Sequence, residues 1–126
     1  MKMRSLCLAV GTGLLGLASI ARIEVAIPAA AEAAAPREIQ IVAKRFAFVP
    51  GEITVKKGEP VVLELTTPDV THGLKFSELN LDVEIRKNQT ATLVFTPDRT
   101  GTFVGHCSHF CGAGHGSMTL IMHIVE

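Results

Sequence analysis

The chain has 126 residues, a length that favours a single domain with one hydrophobic core. Lysine plus arginine and aspartate plus glutamate balance at 12 residues each, and this neutrality argues against a dedicated nucleic-acid-binding protein, which would carry a basic excess. Hydrophobic residues make up 48% of the chain, and part of this fraction belongs to the N-terminus.

The N-terminal segment has the pattern of an export signal. Lys2 and Arg4 form a short basic start, residues 6–20 are a run of apolar and small residues, and Ala31-Glu32-Ala33 offers a small-x-small cleavage site. The apolar run is shorter than the roughly 20 residues that a membrane-spanning helix needs. We therefore predict that residues 1–33 are a signal peptide directing the chain to the periplasm or another extracytoplasmic space. An uncleaved membrane anchor is the alternative.

Residues 34–37 are predicted to be a linker and residues 38–126 a single domain of β-strands. Apolar and polar residues alternate in seven short stretches: residues 38–41, 52–56, 61–65, 81–86, 90–95, 102–107 and 118–125. Period-two alternation with turn sequences in between predicts an all-β antiparallel sandwich or barrel. Residues 46–49 are predicted to lie in the core where strands cross.

Two thiols, an imidazole and a thioether at the spacing of metal ligands lie within twelve positions near the C-terminus: Cys107, Cys111, His115 and Met118. Thiol, imidazole and thioether groups together suit copper better than a hard cation, and zinc sites rarely use a thioether. The last three residues alone have the spacing of a mononuclear blue-copper loop. With Cys107 four positions earlier, two thiolates on one tight loop can bridge a pair of copper ions.

The two cysteines after the predicted signal also fit a simpler interpretation. In an oxidising compartment, Cys107 and Cys111 would ordinarily form a disulfide bond. His115 and Met118 stand at ligand spacing, which a disulfide does not require, and the sequence therefore favours copper.

The loop sequence Cys-Ser-x-x-Cys-Gly-x-x-His-x-x-Met, which begins at Cys107, resembles the binuclear copper A loop of cytochrome c oxidase subunit II and nitrous oxide reductase. Residues 97–106 resemble the strand leading into that loop, and Asp69-Val70-Thr71-His72 resembles the segment with the family's first histidine. The resemblance covers residues 38–126. It implies a cupredoxin, which is a Greek-key β-sandwich, with two copper ions as its cofactor.

The resemblance also implies a set of metal ligands drawn from two segments. They are the side chains of His72, Cys107, Cys111, His115 and Met118 and the backbone carbonyl of His109. The family often has an acidic or amide residue where this chain has His109, but a carbonyl ligand needs no particular side chain. The imidazole of His109 is then left to face solvent or to act as an alternative ligand. The two segments are expected to meet at one end of the sandwich.

Several neighbouring residues are predicted to have other roles. Phe110 is expected to shield the site from water, and His106, where the family commonly has glutamine, is not expected to be a ligand. Strand alternation predicts that Met122 lies in the core and that His123 lies on the opposite face, at the surface.

The site implied by the resemblance transfers single electrons. The sequence has no evident catalytic acid, base or open coordination position, which favours a non-catalytic electron carrier over an enzyme. The chain has no tryptophan and no tyrosine, so the family's aromatic stretch near the copper is missing. We predict an exported electron shuttle whose partner is a c-type cytochrome or an oxidase that supplies the catalytic subunit. No nucleic-acid partner is expected, and membrane contact is expected only through an uncleaved N-terminal segment.

Two other functions use the same residues. A copper carrier would deliver its metal to another protein, and His106 and His109 beside the loop would help it to exchange metal. A mononuclear blue-copper protein would use His72, Cys111, His115 and Met118 as ligands, and Cys107 would not bind metal.

Overall fold

The computed structural model of the chain describes residues 35–126, together with residues 13, 16 and 20–27. The chain divides into two compact units, Met1–Ala31 and Glu32–Glu126. In the first unit, residues 20–27 form neither helix nor strand, and most of the predicted signal peptide lies outside the described residues. Within the part of the chain that is described, no helix has the length and apolar character needed to span a membrane.

Residues 35–126 form nine β-strands and two short 3-10 turns. The strands are β1 Arg37–Lys44, β2 Ala47–Val49, β3 Glu52–Lys56, β4 Val61–Thr66, β5 His72–Phe76, β6 Leu81–Ile85, β7 Ala91–Phe95, β8 Gly101–His106 and β9 Thr119–Val125. The 3-10 turns are Ser77–Leu79 and His115–Ser117. The all-β prediction is therefore confirmed for this part of the chain.

The strands form a sandwich of two mixed sheets. One sheet has the order β2-β1-β4-β7 and the other has the order β3-β9-β8-β5-β6. β1 runs parallel to β4, with Ile39 beside Leu63, and β3 runs parallel to β9, with Val55 beside Ile124. The expectation of a purely antiparallel arrangement is therefore wrong. Alternation along a strand records which face a side chain occupies, but it does not record the direction of the neighbouring strand.

Two strands do not follow from the sequence pattern. β5 has four buried residues among its five, so it lacks the alternation by which a half-buried strand is recognised. β2 has only three residues, too few to establish a period. Within residues 46–49, Phe48 is buried as expected, but Ala47 is exposed, Phe46 is 39% exposed and Val49 is 46% exposed, so the core prediction is wrong for these three.

A single hydrophobic core lies between the sheets. Its fully buried members include Ile41, Val55, Val61, Leu63, Leu65, Leu74, Ile85, Leu120 and Met122. Burial of each side chain of this size stabilises the fold by about 1.5–3 kcal/mol. The shared core therefore holds the strands of both sheets together. Met122 is in the core as predicted. His123 lies on the other face of β9, where its Nδ1 is 3.0 Å from the hydroxyl of Thr102.

Candidate metal centre

The loop between β8 and β9 is held at its base by backbone hydrogen bonds. The backbone N–H of Cys107 donates to the carbonyl of Met118 at 3.0 Å, which closes the loop. On the other side of β8, the backbone N–H of Ser108 donates to the carbonyl of Gly73 in β5 at 3.3 Å. Because Gly73 follows His72, the first cysteine of the loop lies next to the internal histidine.

The sulfur atoms of Cys107 and Cys111 form the centre of the site. Their Sγ atoms are 3.6 Å apart, and the two residues are only 5% and 4% exposed. A disulfide bond has a sulfur–sulfur distance of about 2.05 Å, so both thiols are free in this structure. Two buried sulfur atoms at this separation are close enough to bind the same soft metal ion.

Two imidazoles flank the sulfur pair, one at each end. Nδ1 of His72 lies 3.8 Å from Sγ of Cys107, and Nδ1 of His115 lies 3.7 Å from Sγ of Cys111. His72 is completely buried. The ligand atoms of His72, Cys107 and Cys111 all lie within 4.8 Å of one another, close enough to hold one ion together.

The remaining predicted donors, a thioether and a carbonyl, also face the sulfur pair. Sδ of Met118 is 3.9 Å from Sγ of Cys111, and the carbonyl oxygen of His109 is 3.2 Å from Sγ of Cys107. Met118 is fully buried. The structure therefore brings together all six donors that the sequence singled out.

Asp69 fixes the orientation of the internal histidine. Its Oδ1 is 2.7 Å from Nε2 of His72, and it also accepts hydrogen bonds from the hydroxyl of Thr67 and the backbone N–H groups of Val70 and Arg45. Burial alone would raise the pKa of Asp69, but these hydrogen bonds outweigh it and hold the pKa well below its usual value. An ionised carboxylate at Nε2 favours the tautomer with its proton there, which leaves the Nδ1 lone pair facing the sulfur atoms.

The thiol of Cys111 is held in its neutral form. Burial, followed by the hydrogen bond and the charge of Cys107, raises the pKa of this thiol to about 11, although the positive charge of Arg45 opposes the shift. The thiol therefore keeps its proton near neutral pH in the metal-free protein. A metal ion has to displace that proton in order to bind.

The donor set fits copper. Two thiols and a thioether are soft donors, and two imidazoles are the nitrogen donors that copper accepts most readily. A hard cation such as calcium or magnesium would require six or more oxygen ligands, whereas this cluster offers one carbonyl oxygen. The chemistry of the residues present therefore agrees with the cofactor that the sequence suggested.

The neighbouring histidines and the aromatic residue of the loop face outward. His106 and the side chain of His109 are exposed, so His109 contributes only its carbonyl to the cluster. Phe110 is 76% exposed, and its ring centroid is 5.6 Å from that of His115. The expectation that Phe110 shields the site is therefore wrong. An aromatic surface beside His115 faces solvent instead, while Cys107 and Cys111 are buried.

Sequence reasoning missed two residues that contact the loop from the turn between β1 and β2. Nε of Arg45 donates to the carbonyl of Cys111 at 2.9 Å, and Phe46 packs on the loop glycines. Arg45 and Cys111 are 66 positions apart, and no local pattern relates them. Asp69 was part of a recognised motif, which was the only signal of its role.

Gly73 has no side chain, and the β8–β9 loop occupies the space where one would lie. A Cβ atom there would lie 2.1 Å from Oγ of Ser108 and 3.1 Å from the backbone nitrogen of His109. We expect Gly73→Ala to push the loop away from β5 and to lower the free energy of unfolding by roughly 1–3 kcal/mol, the usual cost of overpacking. Urea unfolding of the metal-free protein measures this. Gly51→Ala is a matched control, because its Cβ would meet only the carbonyl of Phe48 at 3.5 Å. Equal losses in the two variants would contradict the prediction.

A two-sheet sandwich that gathers cysteine, histidine and methionine side chains beside its last two strands defines a class of small β-domains built around a metal site. Residues 16–120 match the sequence profile of the cupredoxin-like domain. The chain belongs to the cupredoxin-like domain family, and the family resemblance predicted from the loop motif is confirmed.

Known proteins with similar sequences include two curated relatives. The chain is 32% identical to cytochrome c oxidase subunit 2 of Thermus thermophilus over 80 residues, which are 64% of this chain and 59% of the relative. It is 36% identical to nitrous-oxide reductase of Cupriavidus necator over 92 residues, which are 70% of this chain and 14% of that enzyme. The chain therefore spans less than two thirds of the length of either relative.

A similar solved structure is the periplasmic domain of subunit II of cytochrome oxidase of Bradyrhizobium japonicum. It superimposes with a TM-score of 0.66 at 19% sequence identity, over 71% of this chain and 84% of that domain. At this level of identity the similarity concerns the fold, which both chains share.

Proposed function

We propose that this chain is an extracytoplasmic copper protein that carries single electrons through a binuclear centre of the copper A type. The observation that carries the proposal is the pair of buried Sγ atoms of Cys107 and Cys111, 3.6 Å apart, each with an imidazole Nδ1 at 3.7 or 3.8 Å. The thiolates of Cys107 and Cys111 and the Nδ1 atoms of His72 and His115 would hold the copper ions. Met118 and the carbonyl of His109 complete the donor set.

The protein's contribution is to hold these donors still and away from water. When bound, a copper pair supplies a one-electron couple whose charge is shared among the ions and the two sulfur atoms. The backbone bonds at the base of the loop and the carboxylate of Asp69 keep the ligand atoms in place. A ligand set that moves little when the charge changes favours fast electron transfer, and it leaves no vacant position for a substrate. The arrangement therefore suits an electron carrier better than an enzyme.

The partner is proposed to be another redox protein, a c-type cytochrome or an oxidase. The relatives are an oxidase subunit and a reductase, and one solved structure of the same fold is a periplasmic domain. The exposed ring of Phe110 beside His115 provides an apolar contact surface close to the sulfur pair. The chain has no tryptophan or tyrosine, and Phe110 is proposed to serve as the aromatic contact near the metal.

We expect the protein, loaded with copper after its cysteines have been reduced, to bind two copper ions per chain, because two thiols lie between two imidazoles. Metal analysis gives the stoichiometry, and electron paramagnetic resonance of the oxidised centre is expected to show one unpaired electron shared by two coppers. The same protein treated with a chelator is the control and should lose the signal. A single copper with a four-line spectrum would contradict the binuclear centre and support a mononuclear blue-copper protein.

A second experiment distinguishes an electron shuttle from a copper carrier. Because the chain supplies a full ligand set on a rigid frame, we expect rapid, reversible reduction by a small c-type cytochrome, with no copper lost to a chelating acceptor over repeated cycles. Stopped-flow spectroscopy and metal analysis of the recovered protein measure both quantities. Stoichiometric transfer of copper to a metal-free oxidase domain, with slow or absent electron exchange, would instead identify a delivery protein.

A further inference from the structure

The turn between β1 and β2, formed by Arg45 and Phe46, contacts both segments that carry the proposed ligands. The backbone N–H of Arg45 donates to Oδ2 of Asp69 at 2.7 Å, and Oδ1 of Asp69 is 2.7 Å from Nε2 of His72. The side chain of Arg45 reaches the β8–β9 loop, where Nε donates to the carbonyl of Cys111 at 2.9 Å. One residue outside the ligand set is thus connected to a ligand from each segment.

Phe46 packs against the backbone of the same loop. A Cβ atom on Gly114 would lie 2.4 Å from Cγ of Phe46, and a Cβ atom on Gly112 would lie 3.0 Å from its Cζ. Gly112 also has a φ of 132°, which residues with a side chain rarely adopt. Both glycines lie between Cys111 and His115, so the aromatic ring covers the stretch of backbone that joins these two ligands.

We propose that Arg45 and Phe46 are positioning residues of the metal centre, which hold residues 111–115 in the ligand-binding conformation before metal binds, and that the charge of Arg45 raises the reduction potential of the loaded centre. This inference rests on the proposed copper function. The hydrogen bond to the carbonyl of Cys111 fixes the backbone from which its sulfur projects. The ring restricts two glycines, the residue type with the greatest backbone freedom.

The effect on the potential follows from the sign of the charge. The reduced form of the centre carries one more electron than the oxidised form, and a nearby guanidinium group favours the more negative form. Arginine side chains carry a positive charge in proteins. If the turn only stabilised the sandwich, substitutions in it would change the free energy of global unfolding. They would change neither hydrogen exchange in the loop nor the reduction potential.

The first test uses metal-free protein with reduced cysteines and measures backbone amide hydrogen exchange by nuclear magnetic resonance. The N–H groups of His115 and Ser117 donate to carbonyls within the loop and report on its opening. We expect Phe46→Ala to accelerate their exchange about tenfold or more, because the ring contact holds the loop closed. Arg45→Met is expected to accelerate it about 3- to 10-fold, the effect of losing one ordinary hydrogen bond. Exchange in β4 should stay at the wild-type rate.

The second test measures the reduction potential of the copper-loaded protein. We expect Arg45→Met to lower the potential. Arg45→Lys retains the positive charge but lacks the Nε donor, so it is expected to keep most of the wild-type potential while its loop exchanges faster. Arg37→Met is the matched control, because Arg37 is an exposed arginine at the other end of β1. It is expected to change neither quantity.

Each part of the proposal has a result that would overturn it. Wild-type loop exchange in both Arg45→Met and Phe46→Ala would overturn the positioning role, and an unchanged or raised potential in Arg45→Met would overturn the electrostatic role. Phe46→Leu replaces Phe46→Ala if the latter does not fold, and it should still accelerate loop exchange. Failure of the proposed function has a separate signature: wild-type protein would take up no copper, while the metal-free exchange measurements would still test the turn.

Discussion

Cys107→Ser is expected to abolish the binuclear signal and to reduce the bound copper from two ions to one. The variant loses the sulfur that faces His72 and the carbonyl of His109, and a hydroxyl is a poor bridge between two copper ions. Cys111 keeps its contacts with His115 and Met118 at 3.7 and 3.9 Å, so a mononuclear set including His72 remains. Metal analysis, visible spectroscopy and electron paramagnetic resonance measure the change.

The reciprocal substitution is expected to be more damaging. Sγ of Cys111 lies near both Nδ1 of His115 and Sδ of Met118, so Cys111→Ser removes the thiol from the mononuclear set that Cys107→Ser leaves in place. We expect this variant to hold no copper through gel filtration. Ser108→Ala is a control on the same loop, because its hydroxyl donates to Asp82 rather than facing the sulfur atoms. An unchanged spectrum in Cys107→Ser would show that Cys107 is not a ligand.

The clustering of the loop donors is predictable from the sequence because it depends on short-range spacing. Cys107, Cys111, His115 and Met118 are separated by three or four positions on a tight loop, and their side chains stay close wherever the loop lies. The position of His72 beside these donors depends on strand pairing. Only the resemblance of the segment around His72 to a known motif predicted that position. The structure agrees, with Nδ1 of His72 3.8 Å from the first sulfur.

The support around the donors was less predictable, for a physical reason. Arg45 meets Cys111 through a contact that spans 66 positions, and its geometry depends on how two sheets stack rather than on any periodic pattern. β5 was missed for a related reason, because burial of both its faces removes the alternation that reveals a strand. Strand direction was not predictable either, because the parallel pairing of β1 with β4 does not change the alternation of apolar and polar residues in either strand.

Asp69→Ala is expected to weaken copper binding about 10- to 100-fold, the usual effect of removing the group that orients a histidine ligand. Without the carboxylate, Nε2 of His72 loses its partner, and the tautomer with a free Nδ1 is no longer favoured. The backbone N–H groups of Val70 and Arg45 also lose their acceptor. We therefore expect the free energy of unfolding of the metal-free protein to fall by roughly 1–3 kcal/mol, the cost of leaving the partly buried N–H of Val70 without an acceptor, whereas the exposed N–H of Arg45 can bond to water.

Two matched variants separate the orienting role of Asp69 from general destabilisation. Asp69→Asn keeps an oxygen at the position of Oδ1 for His72, but it sets an amide N–H₂ group against the backbone N–H of Arg45. Its copper affinity is expected to lie between those of the wild type and Asp69→Ala. Asp98→Ala removes an exposed carboxylate and should change neither affinity nor stability. Competition with a chelator of known affinity and urea unfolding measure the two quantities. If Asp69→Ala behaved like Asp98→Ala in both, the carboxylate would have no part in orienting His72, and the imidazole would be held by its burial alone.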